Sequence, residues 1–161
     1  MPTERTFVAI KPDAVQRGLM GKIITRFEEK GFKIIAIKML EVTPEQAASH
    51  YAEHKGKPFY EGLVQFITSA PIVAMVVEGL DAISEIRHIV GATNPDKADV
   101  GSIRADYSPI MKCNCIHASD CVESAEREMA IYFDVEKELC TNWKTMMEVV
   151  LDGLQQRTRL F

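Results

Sequence analysis

No stretch of this chain approaches the roughly 18 consecutive apolar residues of a membrane-spanning helix, and the first apolar segment, Thr6 to Ile10, is too short for a signal-peptide core. A soluble, cytoplasmic protein is expected. Nor is there a surplus of basic residues: 19 Lys and Arg stand against 23 Asp and Glu, a formal net charge of −4, so no overall basic field draws nucleic acid or a membrane surface. Cysteine is scarce. There are four, two of them (Cys113 and Cys115) only one residue apart, which is no framework for a small secreted domain, so reduced thiols are expected. Repeats and low-complexity segments are absent. The glycine-rich phosphate loops are missing as well. Gly18, Gly21 and Lys22 fall short of a P-loop, because Gln16 stands where the first glycine belongs and Ile23 replaces the Ser or Thr that would meet magnesium; no G-x-G-x-x-G occurs. Any phosphate binding must use another device.

What is present is a chain of 161 residues, 47% hydrophobic, enough for one globular domain that buries about 70% of its unfolded surface. Thr6 to Ile10 has the composition of a buried strand, and Pro12 should end it with Lys11 at its tip. A helix is predicted over Gly21 to Lys30, a strand over Phe32 to Val42, and then a helix from Pro44 to about Glu53 capped by Thr43. After a polar break the run from Phe59 makes a second short helix. Pro71 to Val77 is the best buried strand, ended by Gly79; Asp81 then caps a helix through Val90 with Arg87 in its last turn. A long irregular stretch from Gly91 to about Met111 carries Thr93 and Arg104, and loops of that length are commonly functional. Alternating strands and helices by themselves suggest a parallel α/β sheet. Past Phe133, Trp143, Met146, Met147, Val150, Leu151 and Leu154 follow helical spacing, which predicts an amphipathic helix from about Asn142 to Leu154 whose stripe packs on the chain body or on a neighbouring subunit.

The most informative segment is Asn114 to Asp120, NCIHASD. His117 follows a short β-prone run and precedes Ser119 and Asp120, so it should sit where a strand gives way to a helix, whose start would be capped by Asp120 paired with Glu123. Free N–H groups there suit an anion. A neutral imidazole is a competent nucleophile toward phosphorus. Two bland readings compete: a hydrogen-bonded structural histidine, or a zinc ligand beside Cys113, Cys115 and Cys121. In a regular strand Asn114 and His117 would point to opposite faces, so a shared site requires the strand to bend or end by His117. Lys11 at a strand tip, Arg87, Arg104, Thr93 and His117 together suit a polyphosphate, since phosphoryl transfer is mostly positioning and charge neutralisation.

The segment N-x-I-H-A-S-D resembles the active-site signature of the nucleoside diphosphate kinases. The likeness continues in FVAIKPDAVQRGL (Phe7 to Leu19), HYAEHKGKPFYEGLVQFITSAP (His50 to Pro71), GATNPDKADVGSIRADY (Gly91 to Tyr107) and SAEREMAIYF (Ser124 to Phe133), and it spans roughly Thr6 to Trp143. The resemblance implies an α+β, ferredoxin-like sandwich: a four-stranded antiparallel sheet flanked by helices, with a C-terminal helical extension. Residues 1–143 would be the kinase-like domain, and 144–161 a helical extension that is not an independent domain.

By the same resemblance, a nucleoside triphosphate, typically ATP, gives its terminal phosphoryl group to Nδ1 of His117, and a nucleoside diphosphate takes it in a ping-pong reaction with broad base tolerance. Lys11 and Asn114 would meet the sugar and phosphate region, and Arg87, Thr93 and Arg104 the phosphates. Phe59 would stack on the base with Met111 on its other face. Tyr51 would orient the phosphoryl end, while Glu128 and Ser119 would support the imidazole. Magnesium (Mg2+) would be held mainly by nucleotide phosphates and not by protein side chains. A homo-oligomer is implied, hexamer before tetramer, with Pro95 in a loop similar to the family's assembly loop. Neither nucleic acid nor a membrane is an expected partner. The alternatives are a non-catalytic nucleotide-binding or regulatory relative and a Cys/His zinc module.

Overall fold

The computed structural model describes residues 3–158; residues 159–161, the end of the expected C-terminal helical extension, lie outside the described residues. Four strands, β1 (Thr3–Ile10), β2 (Lys33–Leu40), β3 (Ile72–Leu80) and β4 (Ile116–Ala118), form one sheet in the order β2-β3-β1-β4. Every pairing is antiparallel. The parallel sheet that strand–helix alternation suggests is therefore wrong. β1 and β2 do run the same way, but β3 lies between them and reverses the ladder. This is the ferredoxin-like sandwich.

Buried strands on a sheet covered from both sides read as unbroken apolar runs, and two separate cores explain why. Val8 and Ile10 of β1, with Val73, Met75 and Val77 of β3, pack against helices α1 (Pro12–Gln16), α2 (Met20–Glu29) and α5 (Ala82–Val90). The alternate residues Phe7, Ala9, Ala74 and Val76 pack against α3 (Pro44–His50), α4 (Tyr60–Ile67) and α7 (Val122–Tyr132). A bulge at Ile35 in β2 shifts the register between Ile34 and Ala36, so Ile35 and Ala36 both serve the second core.

Several local expectations are corrected. Pro12 ends the strand as expected but also opens the helix α1, because a proline in the first helical position has the right φ and no donor to lose. Thr43 caps α3 through a full capping box with Gln46, but α3 stops at His50 and a 3-10 turn takes Ala52–His54. Gly79 lies within β3 and does not end it; a Cβ there would stand 2.5 Å from the Phe32 ring. Asp81 holds the cap position of α5 without a capping bond, and the Glu4 carboxylate instead accepts from the Ile83 N–H at 3.1 Å. The irregular stretch after Gly91 contains a 3-10 turn, Pro95–Lys97, and the short helix α6 (Ile103–Tyr107), which carries Arg104.

The C-terminal helix α8 (Met146–Thr158) starts later than expected, at a capping box: Thr145 Oγ1 accepts from the Glu148 N–H at 3.2 Å and the Glu148 carboxylate accepts from the Thr145 N–H at 2.6 Å. Its apolar side chains are largely open along the helix. Met146, Met147, Val149, Val150, Leu151 and Leu154 are all about half exposed or more. Among the described residues, no helix is long and apolar enough to cross a membrane.

Candidate active site

Lys11 stands between β1 and α1, and its ammonium donates to Asn114 Oδ1 at 2.7 Å. The Asn114 amide donates in turn to the Thr93 carbonyl at 3.1 Å. This ties the strand tip, the signature segment and the loop after α5 into one wall. The wall holds Asn114 and His117 in a single cleft, which a straight strand could not do. The device is a γ-turn: the Ile116 N–H donates to the Asn114 carbonyl at 2.8 Å across Cys115, whose φ is 66°. That form is rare and strained for a side-chain-bearing residue, so the surroundings must hold it. Asp13 accepts from the Cys115 N–H at 3.2 Å, the Lys11 N–H donates to the Cys115 carbonyl at 2.9 Å, and Arg104 grips the carbonyls of Asn114 (3.3 Å) and Ile116 (2.6 Å).

Arg104 is 4% exposed and gives a further hydrogen bond to the Gly91 carbonyl at 3.0 Å. Gly91 has φ 91° and ψ 171°, a region essentially closed to other residues, and a Cβ there would collide with Ser102 Oγ. Burial, then the charge of Arg87, draws the Arg104 guanidinium down to about 10. Burial, then Arg104, draws Lys11 down to about 8. Both values record cations held close together out of water, an arrangement that a bound polyanion relieves. Arg87, at the end of α5, donates to the Ala118 carbonyl at 3.1 Å.

His117, in β4, pairs with Ala9 of β1, and Ser119, Asp120 and Cys121 separate β4 from α7. The expected cap is overturned. Cys121 takes the cap position and its sulfur accepts from the Ser124 N–H at 3.4 Å, whereas Asp120 lines the cleft, its carboxyl held below the usual range by a hydrogen bond to Ser124. The imidazole is set by Glu128 on α7: Nε2 donates to its carboxylate at 3.0 Å, which leaves the lone pair on Nδ1. The buried Ser119 hydroxyl donates to the same carboxylate oxygen. Tyr51, at the end of α3, lines the cleft with its hydroxyl pushed up to about 12 by burial and then by the Glu128 charge, so it stays protonated.

Lys11, Tyr51, Arg87, Thr93, Arg104, Asn114, His117 and Glu128 thus share one cleft. Phe59 and Met111 do not line it. Phe59 is 52% exposed and reaches the cleft only through His54, whose ring lies 5.3 Å away; Met111 is 59% exposed. The zinc module built on thiols also fails. Among the described residues the one cluster with metal-ligand spacing is His50, His117 and Glu128, without a cysteine, and all four thiols are free. Three contributors escaped the sequence reading. Asp13, which carries no role in the sequence beyond following Pro12, accepts from the Cys115 N–H. Arg127, one residue from Glu128, donates to the Ser49 carbonyl at 3.0 Å and approaches Glu128 at 3.9 Å. His50 lies in a helical run where nothing but its place in the HYAEH segment marks it, yet its ring sits 4.6 Å from that of His117.

The nucleoside diphosphate kinase family model matches residues 4–138. The chain is 54% identical over 143 residues to a nucleoside diphosphate kinase of Carboxydothermus hydrogenoformans, covering 89% of this chain and 95% of that one. It is 56% identical over 138 residues to that of Methanothermobacter thermautotrophicus, covering 86% and 91%. Among solved structures, the Halobacterium salinarum nucleoside diphosphate kinase in complex with CDP superposes with a TM-score of 0.87 at 47% identity, over 92% of this chain and 97% of that one. With the sheet order, the cleft and these relatives in agreement, the chain belongs to the nucleoside diphosphate kinase family.

Proposed function

We propose that this enzyme moves the terminal phosphoryl group of a nucleoside triphosphate to a nucleoside diphosphate by way of a phosphohistidine on His117. The observation that carries the reading is the imidazole itself: Nε2 is committed to a buried carboxylate at 3.0 Å, and the ring stands in a cleft walled by Lys11, Arg87 and Arg104. The Nδ1 lone pair attacks the terminal phosphorus, the bond to the bridging oxygen breaks, and the diphosphate leaves with that electron pair. Nε2 keeps its proton throughout, and Glu128, steadied by Ser119, stabilises the positive charge that develops on the ring. A second diphosphate then attacks the phosphohistidine in the same position, which closes a ping-pong cycle.

Lys11, charged below about pH 8, would neutralise phosphate oxygens, with Arg87 and Thr93 beside it. Arg104 spends three of its five N–H groups on backbone carbonyls and keeps the others for phosphate. Asn114 would reach the sugar and Tyr51 the phosphoryl end. Phe59, with Met111, would offer the base a stacking surface outside the enclosed cleft; because every base has a π face, such a platform favours none. The lining is rich in nitrogen donors, which suits phosphate and is a poor set for magnesium. When bound on the nucleotide phosphates, Mg2+ would supply charge neutralisation at the bridging oxygen. Residues 1–143 would form the catalytic domain, 144–161 an appendage to it, and the working form would be a cytoplasmic homo-oligomer, hexamer before tetramer.

The test is to mix the protein with Mg2+ and ATP labelled on its terminal phosphate. An acid-labile, base-stable phosphoryl adduct is expected, and His117→Gln should lose it together with at least about 1000-fold of the transfer rate. A full adduct in that variant sinks the proposal. Nucleotide binding with no adduct in the unaltered protein would favour a regulatory relative instead.

A further inference from the structure

His50 is the buried group that phosphoryl transfer leaves unused. It is 5% exposed, and Nδ1 is hydrogen-bonded to the Tyr132 hydroxyl at 2.9 Å, while Nε2 has no partner although it is buried. An unpaired buried polar atom costs about 1–3 kcal/mol, so its retention beside a reactive imidazole asks for a use. The ring stands edge-on to His117, and one ligand atom from each of His50, His117 and Glu128 lies within 4.8 Å of the others.

We propose that His50, His117 and Glu128 form a site for a first-row transition cation, zinc foremost, and that its occupancy stops phosphoryl transfer. The blocking half rests on His117 being the phosphoryl acceptor; the binding half does not. Two imidazoles and a carboxylate are a set that zinc accepts with a fourth position open to water. Tetrahedral zinc with Zn–N near 2.0 Å needs ligand atoms roughly 3.4 Å apart, so the cluster must close by somewhat more than 1 Å. Rotation of the His117 ring, whose side chain is 24% exposed, is the available movement.

His50 is ready to ligate. When its Nδ1–H donates to Tyr132, the Nε2 lone pair is free and the ring is locked in orientation, as outer partners do for metal-bound histidines. Burial, then the charges of His117, Lys11 and Arg127, holds its pKa at about 2, so no proton competes at neutral pH. Magnesium, which demands oxygen ligands, has little affinity for such a set, so the cation that accompanies the nucleotide and the one that blocks the histidine are told apart by donor chemistry. Lys11, Arg87, Arg104 and Arg127 line the same cleft and repel a dication, while Glu53 and Asp120 attract it. The balance makes the site weaker than a structural zinc site and reversible. A cation there either takes the Nδ1 lone pair of His117 directly, or takes Nε2 in place of the Nε2–H···Glu128 bond while that proton moves to Nδ1; in both cases the Nδ1 lone pair is no longer free.

The chain has four histidines, so their ring resonances can be followed singly by NMR as Zn2+ is added to the unaltered protein without nucleotide. One equivalent should move His50 and His117 together and leave exposed His88 in place, and Mg2+ should move neither. Replacing the three thiols that are not buried, with Cys113→Ser, Cys121→Ser and Cys140→Ser, should leave these shifts intact, while His50→Gln should weaken zinc binding about tenfold or more. A His50 signal that stays still, or shifts that vanish in the thiol variant, would overturn the site. In a parallel series at fixed excess Mg·ATP, phosphohistidine formation should slow in step with zinc occupancy; an unchanged rate at full occupancy would overturn the blocking half. If no phosphohistidine forms even without zinc, the transfer reading falls and the ring shifts still decide the binding half.

Discussion

Around His117 four polar side chains are buried and held by named partners, whereas along α8 the exposed side chains are apolar. Asn114, Arg104, Glu128 and Ser119 are nearly or wholly buried, and each hydrogen-bonds to another element or to the backbone of the signature segment. Met146, Val150 and Leu151 are half exposed or more on a helix whose first turn is nonetheless well capped. The contrast separates two kinds of order. The cleft is fixed by pairing, which fails sharply when one partner is removed. The tail is fixed by local capping, so its loss should hardly reach the body.

The largest effect that sharpens this contrast should come from Arg104→Ala. It strips the donors from the carbonyls of Asn114, Gly91 and Ile116, and a loss of about 3 kcal/mol or more is expected as a lowered urea midpoint at unchanged slope. Next is Gly91→Ala, which forces a side chain into a glycine-only conformation against Ser102 and should cost about 2 kcal/mol by the same measurement.

A smaller effect depends on pH. The folded-state pKa of His50 lies far below its ordinary 6.5, so the unfolded chain takes the proton first. Stability from this group is complete above pH 6.5 and falls by about 1.4 kcal/mol per pH unit below it. His50→Gln should flatten that slope, read from urea midpoints between pH 6.5 and 5. Least of all, deletion of residues 144–161 should shift the midpoint by less than about 0.5 kcal/mol and leave transfer intact. A larger loss would erase the distinction between cleft and tail.

Much of the site was readable because a short signature fixes residue identities that chemistry can interpret. The strands were readable because each apolar run serves two cores. What stayed hidden involves residues far apart in the chain. Asp13 and Cys115, or Lys11 and Asn114, meet across about a hundred residues, and no local periodicity announces such pairs. The γ-turn at Cys115 was required by the opposed faces of Asn114 and His117, but its form was not legible, since cysteine is no usual occupant of a positive φ. The cap of α7 went to Cys121 and not to Asp120 because the helix begins only at Val122, after an extended Cys121 (φ −154°, ψ 172°).

The bulge at Ile35 also bears on how this sheet avoids sticking to others. β2 is an outer strand, and the bulged residue leaves a carbonyl that the Cys140 N–H takes at 2.7 Å. Lys38 pairs with Glu138 at 3.1 Å and Lys33 reaches the carbonyls of Thr141 and Trp143, so the segment after α7 is laced along this border. An unsheathed border strand is a template for fibril-like stacking. Here the chain supplies its own selvedge.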